Sequence, residues 1–499
     1  MYNKRFAIKD AFPTIIACII GVALVVLNII RICRIPITID ETGVRPDDTY
    51  LGLMRNKIGS ANNHILHSLF RKFFIDTFGN TLFFLRVDSL IAQVFFLVFS
   101  YLICRLLFKN VWWLIGCFII LNTASPLISD FWGLSRGYAL ALAFMTISIY
   151  HLLRYMTSPK TLFISLSFAT AILSVYSNFG YINYFLVLCA VVIIQDLLFW
   201  ENRPRTRIFK ELVVIIIASC VLGLMIVAPL KAVYGGGELR FMGNNGFMKD
   251  TLRTVVSAGL GMFGRDESLT TYNISRAAII ITYLSGFFWT YTYVNKLRRE
   301  KLIDMDTRYG ITFFLLLVGH VVSLIAQHLL FGINYLTDRA ALFFIILFML
   351  QLVFLLYYLR PKYNILSIAS FAIVFLLLGY NFLSWVNINT TILWYFDSAD
   401  VVILKKINNE TKDKPGKVKM AVSWMSEPAL KYDIENYFPD HFYPPQSISH
   451  TPGKDTTYDY YYITIDDVPK LPDGYHRDTD CIGGAFILLR KNEPSPAAK

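Results

Sequence analysis

Charged residues are scarce in this sequence. Asp, Glu, Lys and Arg make up 16% of its 499 residues, while 55% are hydrophobic. Soluble domains carry about a quarter charged residues, and a mean hydropathy of +0.50 indicates long apolar segments. A soluble, disordered or fibrous protein is therefore excluded for most of the chain. At 499 residues the chain also exceeds the limit of about 250–300 residues for one hydrophobic core.

Cysteines are few and have neither paired nor metal-ligand spacing. They are Cys18, Cys33, Cys104, Cys117, Cys189, Cys220 and Cys481. This pattern excludes a disulfide framework. The net charge of +12 is compatible with nucleic-acid binding, but apolar segments separate the basic residues. We therefore expect a membrane protein with no nucleic-acid partner.

Apolar segments near the roughly 20 residues needed to cross a bilayer recur through most of the chain. The eleven segments are 11–33, 82–107, 111–128, 137–154, 161–176, 181–200, 212–232, 276–296, 310–331, 339–359 and 363–386. Lys and Arg collect in every second connection, which places those connections and the N-terminus in the cytoplasm. The sequence predicts an α-helical polytopic protein of about eleven transmembrane helices, with its C-terminus outside.

The tail after residue 386 regains charge, proline and tyrosine. Its pattern predicts a helix at 399–409, strand Val418–Trp424, a helix from Ser426 to Phe438, and strands Tyr458–Ile465 and Ala485–Leu489. We predict a transmembrane domain of residues 1–386, with outer loops at 34–81 and 233–275. Residues 387–499 are predicted to form a small α/β extracytoplasmic domain.

A helix is predicted within the first outer loop. Asn62-Asn63 can cap it, one face is apolar, and the other carries His67, Arg71 and Lys72. This pattern is typical of a helix on the membrane surface.

Asp40 and Glu41 begin the first outer loop, a few residues after the first span. A carboxylate near lipid can have a raised pKa and act as a general base, and two carboxylates can share a metal ion or an acceptor hydroxyl. An ordinary solvated acidic pair is the alternative.

Charged residues also lie in two short outer turns. Asp130 is a candidate metal or substrate ligand, and Arg136 a candidate phosphate ligand because guanidinium binds phosphate bidentately. The two side chains could equally pair with each other. Arg339 lies at the outer mouth of a span, where ionisable groups are costly and tend to be functional or paired. Its neighbour Asp338 offers a local partner.

The second long outer loop combines glycines, amides and cations, among them Lys249. Such a loop could hold a phosphate or a sugar, although the Gly-Lys-Ser/Thr ending of a P-loop is missing. A flexible loop is the alternative interpretation.

These motifs, in this order and on one side of the membrane, resemble the GT-C superfamily of integral-membrane glycosyltransferases. The acidic pair after the first span, Asn-Asn-His-Ile-Leu-His-Ser-Leu, the Arg-Gly-Tyr turn and the late arginine carry the resemblance across residues 11–386. The chain most resembles the branch of protein O-mannosyltransferases and lipid A aminoarabinose transferases. It departs from that branch at Gly137, where Pro is common, and at His67, where Asn is frequent.

The resemblance implies a polyprenyl-phosphate-linked sugar as donor and an outer-side acceptor that is a lipid, a glycan or a protein. It implies that Asp40 is the base, that Glu41 positions a substrate beside it, and that Arg136 and Arg339 hold the lipid phosphate. Asp130 matches the family's second acidic position. A divalent cation, Mg or Mn, would be held by Asp40 and Asp130 if one is used. Asn63, His64, Tyr138 and Lys249 are further candidate substrate-binding residues.

Other functions remain open at this stage. A flippase or transporter of lipid-linked glycans would place ionisable groups near the bilayer midplane, whereas here they cluster at outer span ends. A glycan ligase or polymerase would use the same donors, and a non-enzymatic assembly subunit would bind through the tail. We expect an enzyme of the bacterial inner membrane, although the topology would suit an endoplasmic reticulum equally.

Overall fold

The computed structural model describes residues 2–43, 48–57, 59–60, 62–199, 205–237, 243–262, 267–299, 303–448, 457–464, 474–480 and 486–492. The chain divides into two compact units. A membrane unit comprises residues 1–29 and 46–386, and a C-terminal unit comprises residues 30–45 and 387–499. The acidic segment after the first span thus belongs to the unit that contains the tail.

Helices dominate the chain before residue 387. They are α1 (Tyr2–Arg34), α2 (Tyr50–Met54), α3 (Ile65–Phe78), α4 (Leu82–Leu107), α5 (Val111–Thr123), α6 (Pro126–Trp132), α7 (Gly137–Thr157), α8 (Thr161–Ser177), α9 (Ile182–Leu198), α10 (Arg205–Gly235), α11 (Thr254–Gly259), α12 (Leu269–Arg299), α13 (Met305–Phe331), α14 (Phe343–Leu359) and α15 (Asn364–Trp385). Each of the eleven predicted apolar segments lies on a helix.

The predicted multi-pass membrane architecture is confirmed. Within the described residues, eight helices are long and apolar enough to cross a membrane, and α5 with α6 forms a ninth candidate that bends by 73°. The helices α8 and α14 are apolar but only 17 residues long. Eleven complete spans therefore stay a prediction.

Helix α7 is the most enclosed of the long apolar helices, with 78% of its apolar window buried. It packs against α4 and α8, and α3 packs against all three. The N-termini of α3 and α7 are thereby brought together.

The first-loop helix, α3, has the predicted two faces. Phe70 and Phe73 are 39% and 50% exposed, as expected for a helix that meets lipid, while Arg71 and Lys72 are buried against the unit. The predicted cap by Asn62-Asn63 is wrong, because His64 occupies the N-cap position and makes no side-chain cap hydrogen bond.

The C-terminal unit is an α/β sandwich. Its elements are α16 (Asp400–Thr411), β1 (Met420–Val422), α17 (Glu427–Tyr437), β2 (Gln446–Ser447), β3 (Tyr460–Thr464), β4 (Tyr475–Asp480) and β5 (Phe486–Lys491). The sheet order is β2-β1-β3-β5-β4, with β1 parallel to β2 and β3, and β5 antiparallel to β3 and β4. Apolar residues of α16 and α17 pack on one face of the sheet.

Five elements of the tail occur where the sequence predicts them, and the small α/β fold is confirmed. The ends of two predicted strands, Ile465 and Ala485, lie outside the described residues. The sequence missed β2, which has two residues, and β4, whose sequence Tyr-His-Arg-Asp-Thr-Asp is polar throughout. The strand β4 forms an edge of the sheet, where charged side chains are favoured because they oppose further pairing.

Candidate active site

The acidic pair lies in a 3-10 turn, Ile39–Gly43, within the C-terminal unit. Thr38 donates hydrogen bonds from its backbone nitrogen and its Oγ1 to Oε2 of Glu41, at 2.9 and 3.1 Å. Glu41 is 1% exposed, so its carboxylate folds the turn. Asp40 is partly exposed. The geometry therefore separates the two residues: Glu41 shapes the turn and is buried, whereas Asp40 is partly exposed.

Further buried carboxyl groups surround this turn. Oδ2 of Asp397 accepts a hydrogen bond from the backbone N–H of Ile39 at 3.0 Å. Burial raises the pKa of Asp397 to about 8, and the negative charges of Glu41, Asp40 and Asp433 add to that rise, against the lowering effect of the Ile39 bond. The turn is thus held in a setting that favours a neutral Asp397 at pH 7.

A second cluster lies in the membrane unit, at the N-terminus of α7. Nη2 of Arg136 donates to Oδ1 of Asn62 at 3.1 Å. The guanidinium carbon lies 5.7 Å from the centroid of the Tyr138 ring. Arg136 and Tyr138 are 3% and 5% exposed, whereas Asn62 is exposed. Sequence reasoning gave Asn62 only a capping role, and the structure assigns it to Arg136.

His64 lies at the centre of this cluster. It is 5% exposed, and its ring centroid is 4.8 Å from that of Tyr138. Among the described residues its Nε2 atom has no hydrogen-bond partner. Burial holds the pKa of His64 well below its ordinary value, and the charges of Arg136, His67 and Arg339 lower it further. Two guanidinium groups that are distant in sequence therefore act on one neutral imidazole with a free nitrogen.

Arg339 is placed by a turn that begins at Asp338, whose φ of 32° is unusual for a non-glycine residue. The carboxylate of Asp338 accepts from the backbone N–H of Arg339, and the backbone N–H of Asp338 donates to Oγ1 of Thr254 at 2.8 Å. Gly243 and Tyr335 exchange two backbone hydrogen bonds. The second outer loop thus supports the turn that presents Arg339.

A buried hydrogen-bonded chain braces the same region. Nδ1 of His67 contacts Oδ2 of Asp88, and Nε2 of His67 lies 3.2 Å from Oγ of Ser135. The order Asp–His–Ser resembles a nucleophile relay. The His67 and Asp88 side chains are 5% and 2% exposed and Ser135 is 1% exposed, so burial favours a bracing role. From the sequence, a carboxylate such as that of Asp88 inside an apolar segment indicates a buried hydrogen-bonding partner, because an unpaired carboxylate in a membrane is energetically costly.

Asn63 is engaged in local structure. Its Nδ2 donates to the carbonyl of Leu53 and to Oδ1 of Asn56, each at 3.1 Å, and its Oδ1 accepts from Ser68 at 2.7 Å. These bonds join the α2 region to α3. The adjacent Asn62 is the amide that contacts the arginine cluster.

The remaining candidates lie on other elements. Asp130 is 2% exposed on α6, which packs against α4, α7 and α11. Lys249 is exposed, and its Nζ lies 3.6 Å from Oε1 of Glu267. The carboxylate of Asp250 accepts from the backbone N–H of Gly246 at 2.9 Å and so orders the loop around Lys249.

Metal ligation depends on the side chains that lie together. Over the described ranges, no group of three or more His, Cys, Asp or Glu side chains is arranged to hold a metal ion. The candidate metal pair of Asp40 and Asp130 stays a prediction.

No protein-family model and no curated protein matches this chain. Among solved structures it is similar to ArnT from Cupriavidus metallidurans bound to undecaprenyl phosphate, with 11% identity, a TM-score of 0.41, and coverage of 97% of this chain and 99% of that one. It is also similar to an oligosaccharyltransferase from Archaeoglobus fulgidus in complex with zinc and sulfate, with 11% identity, a TM-score of 0.40, and coverage of 90% and 68%.

At such low identities and TM-scores the likeness assigns no role to any residue of this chain. The residue roles proposed for this chain come from the two clusters.

Proposed function

We propose that this protein is a membrane glycosyltransferase that moves a sugar from a polyprenyl-phosphate-linked donor to an acceptor hydroxyl on the outer face of the membrane. One observation carries the proposal: the buried Nε2 atom of His64, without a partner in the described chain, lies in the field of Arg136 and Arg339. A buried polar atom is costly when unpaired, so this position favours a bound polar ligand.

The donor phosphate fits this cluster by charge and hydrogen bonding. Two guanidinium groups match the oxygens of a phosphodiester, and a neutral imidazole can donate one N–H to the same anion. The guanidinium of Arg136 is held by Asn62, and the backbone N–H of Arg339 by the carboxylate of Asp338. A guanidinium that is oriented before the donor binds, as that of Arg136 is, favours stabilisation of the charge that develops on the leaving phosphate.

Asp40 supplies the acceptor side of the reaction. Its carboxylate takes the proton of the acceptor hydroxyl as the oxygen bonds to the anomeric carbon. The bond between that carbon and the phosphate oxygen breaks, and polyprenyl phosphate leaves with both electrons. A single displacement inverts the anomeric configuration, whereas retention would need a second carboxylate about 5 Å from the first.

Topology follows from the distribution of basic residues. Lys and Arg in alternate connections support a cytoplasmic N-terminus and an outer C-terminal unit. We propose that the membrane is a bacterial plasma membrane and that the polyprenyl-phosphate donor is present at its outer face. The acceptor is a lipid, a glycan or a protein hydroxyl.

Transfer from labelled polyprenyl-phosphate sugars by the purified full chain tests the proposal. Arg339→Gln and His64→Phe should each reduce transfer about 10- to 100-fold, because each removes a donor to the phosphate. His64→Phe keeps an aromatic ring against Tyr138 while removing Nε2. Free polyprenyl phosphate is measured, with and without chelator, and the chelator arm decides whether a divalent cation takes part.

Arg276→Gln is the matched control, since Arg276 is an exposed arginine that lies 4.2 Å over the Tyr272 ring. It should transfer at the wild-type rate. Lipid-linked glycans that cross the bilayer without release of polyprenyl phosphate would instead favour a flippase, and equal losses in Arg339→Gln and Arg276→Gln would contradict the proposed cluster.

A further inference from the structure

We propose that Asp397, in the tail, is a positioning residue for the acidic turn: its carboxyl group holds the Ile39 backbone and thereby sets the direction of Asp40. The inference rests on the proposed role of Asp40 as base. It gives the C-terminal unit a part in catalysis, by supporting the base.

A single hydrogen bond joins Asp397 to the acidic turn. Asp397 lies in the 3-10 turn Tyr395–Ala399 and is 1% exposed. Its Oδ2 accepts from the N–H of Ile39, the residue directly before Asp40. Helix α17 packs against the Ile39–Gly43 turn from the same unit. The Thr38–Glu41 bonds close the turn internally, so the Asp397 bond is what anchors its start to the tail.

The surroundings favour the neutral acid in this position. Glu41, Asp40 and Asp433 all bring negative charge toward Asp397. From α16, Asp400 contributes another buried carboxyl group, to which Tyr462 of β3 donates at 2.9 Å. Within the described chain Oδ1 of Asp397 has no hydrogen-bond partner. A protonated Oδ1 avoids repulsion while Oδ2 still accepts from Ile39.

This arrangement makes asparagine a close mimic of the native side chain. The amide oxygen can accept from Ile39, and the amide NH₂ replaces the protonated oxygen. Leucine has the same branching but is larger and accepts no hydrogen bond. Comparing Asp397→Asn with Asp397→Leu therefore tests whether a hydrogen-bond acceptor is needed at this position.

Hydrogen exchange in the full-length protein tests the anchor without reference to activity. In Asp397→Leu, a peptide spanning residues 35–43 should exchange about tenfold faster or more, because the Ile39 N–H is released. Asp397→Asn should exchange like wild type. The control Asp459→Ala removes another carboxyl acceptor of this unit, which binds the Lys419 N–H at 2.9 Å, and should leave residues 35–43 unchanged.

Transfer kinetics test the positioning role. In Asp397→Leu, kcat should fall about tenfold or more with the donor KM unchanged, and Asp397→Asn should restore it, because geometry at the base changes and donor binding does not. Equal exchange in wild type and Asp397→Leu would overturn the anchor. If Asp397→Leu exchanges faster but keeps the wild-type kcat, the positioning role is overturned while Asp40 remains the proposed base. If the wild type itself shows no transfer, the proposed function is overturned. If Asp397→Leu does not fold, Asp397→Ser takes its place.

Discussion

Gly137 separates the two residues of the cluster at the start of α7. A Cβ atom at this position would lie 2.3 Å from the carbonyl oxygen of Ser177 and 2.4 Å from Cβ of His64. No side chain fits there without moving backbone or His64. The glycine of the Arg-Gly-Tyr sequence is thus explained by close packing between α3, α7 and α8.

Gly137→Ala should lower the free energy of unfolding by about 1–3 kcal/mol, because the added methyl overpacks a rigid contact. Displacement of His64 should also weaken donor binding. Thermal unfolding and binding of a labelled polyprenyl phosphate are the measurements.

Gly223→Ala is the control for that substitution. Gly223 lies within α10, and no atom lies within 4 Å of the position that a Cβ atom would occupy there. Alanine in a helix interior is favoured over glycine by about 1 kcal/mol, so this variant should be as stable as wild type or more stable. A Gly137→Ala protein with unchanged stability and binding would contradict the close-packing account.

At the scale of elements, α3 is held through its polar face. His67 on α3 contacts Asp88 on α4 and Ser135 before α7, which joins three elements through one imidazole. Removing one partner of a buried hydrogen-bonded group leaves the other unsatisfied. The positions of the start of α3 and of the turn that contains Arg136 should therefore depend on the hydrogen-bonded side chains Asp88, His67 and Ser135.

Asp88→Ala should destabilise the membrane unit by about 1–3 kcal/mol and reduce transfer, because His67 loses its buried partner. Glu267→Ala is the comparison, since the Glu267 side chain is 74% exposed and its Oε1 lies 3.6 Å from Nζ of the exposed Lys249. Its thermal midpoint should stay near the wild-type value. Equal midpoints for the two variants would contradict the bracing role of the buried chain.

Most helices and strands could be predicted from the sequence. Apolar length located the eleven segments that lie on helices of the membrane unit, and a two-face pattern located α3, whereas the short helices α2 and α11 were missed. The polar edge strand β4 was missed because its exposed side chains carry no alternation. The contact between Asp397 and Ile39 could not be foreseen, since the two residues are far apart in sequence and no pattern links them. For the same reason the sequence could name Arg136 and Arg339 but not show that the charges of both lower the pKa of His64.

At the scale of the whole molecule, residues 30–45 belong to the C-terminal unit although they comprise the end of the first span, which stops at Arg34, and the segment directly after it. The acidic turn therefore folds with the tail. Its stability should depend on pH, because burial raises the pKa of Asp397 from 3.8 to about 8 and raises that of Asp400 well above 3.8.

The sign of this dependence follows from linkage. A carboxyl with a higher pKa in the folded state binds its proton more tightly when folded, so its contribution is fully present below the unfolded value of 3.8 and is lost as pH rises through about 8. The thermal midpoint of the C-terminal unit should fall as the pH rises from about 4 to about 8, and Asp397→Asn should reduce that fall. A flat wild-type profile would contradict the buried acidic cluster.

The central claim concerns Asp40, and the most direct measurement is release of free polyprenyl phosphate from a labelled sugar donor by wild type, Asp40→Asn and Asp48→Asn. Loss of the base should slow release about 100-fold or more in Asp40→Asn, while Asp48→Asn, a carboxylate of the same loop beyond the acidic turn, should match wild type. Release at the wild-type rate by folded Asp40→Asn would contradict the account.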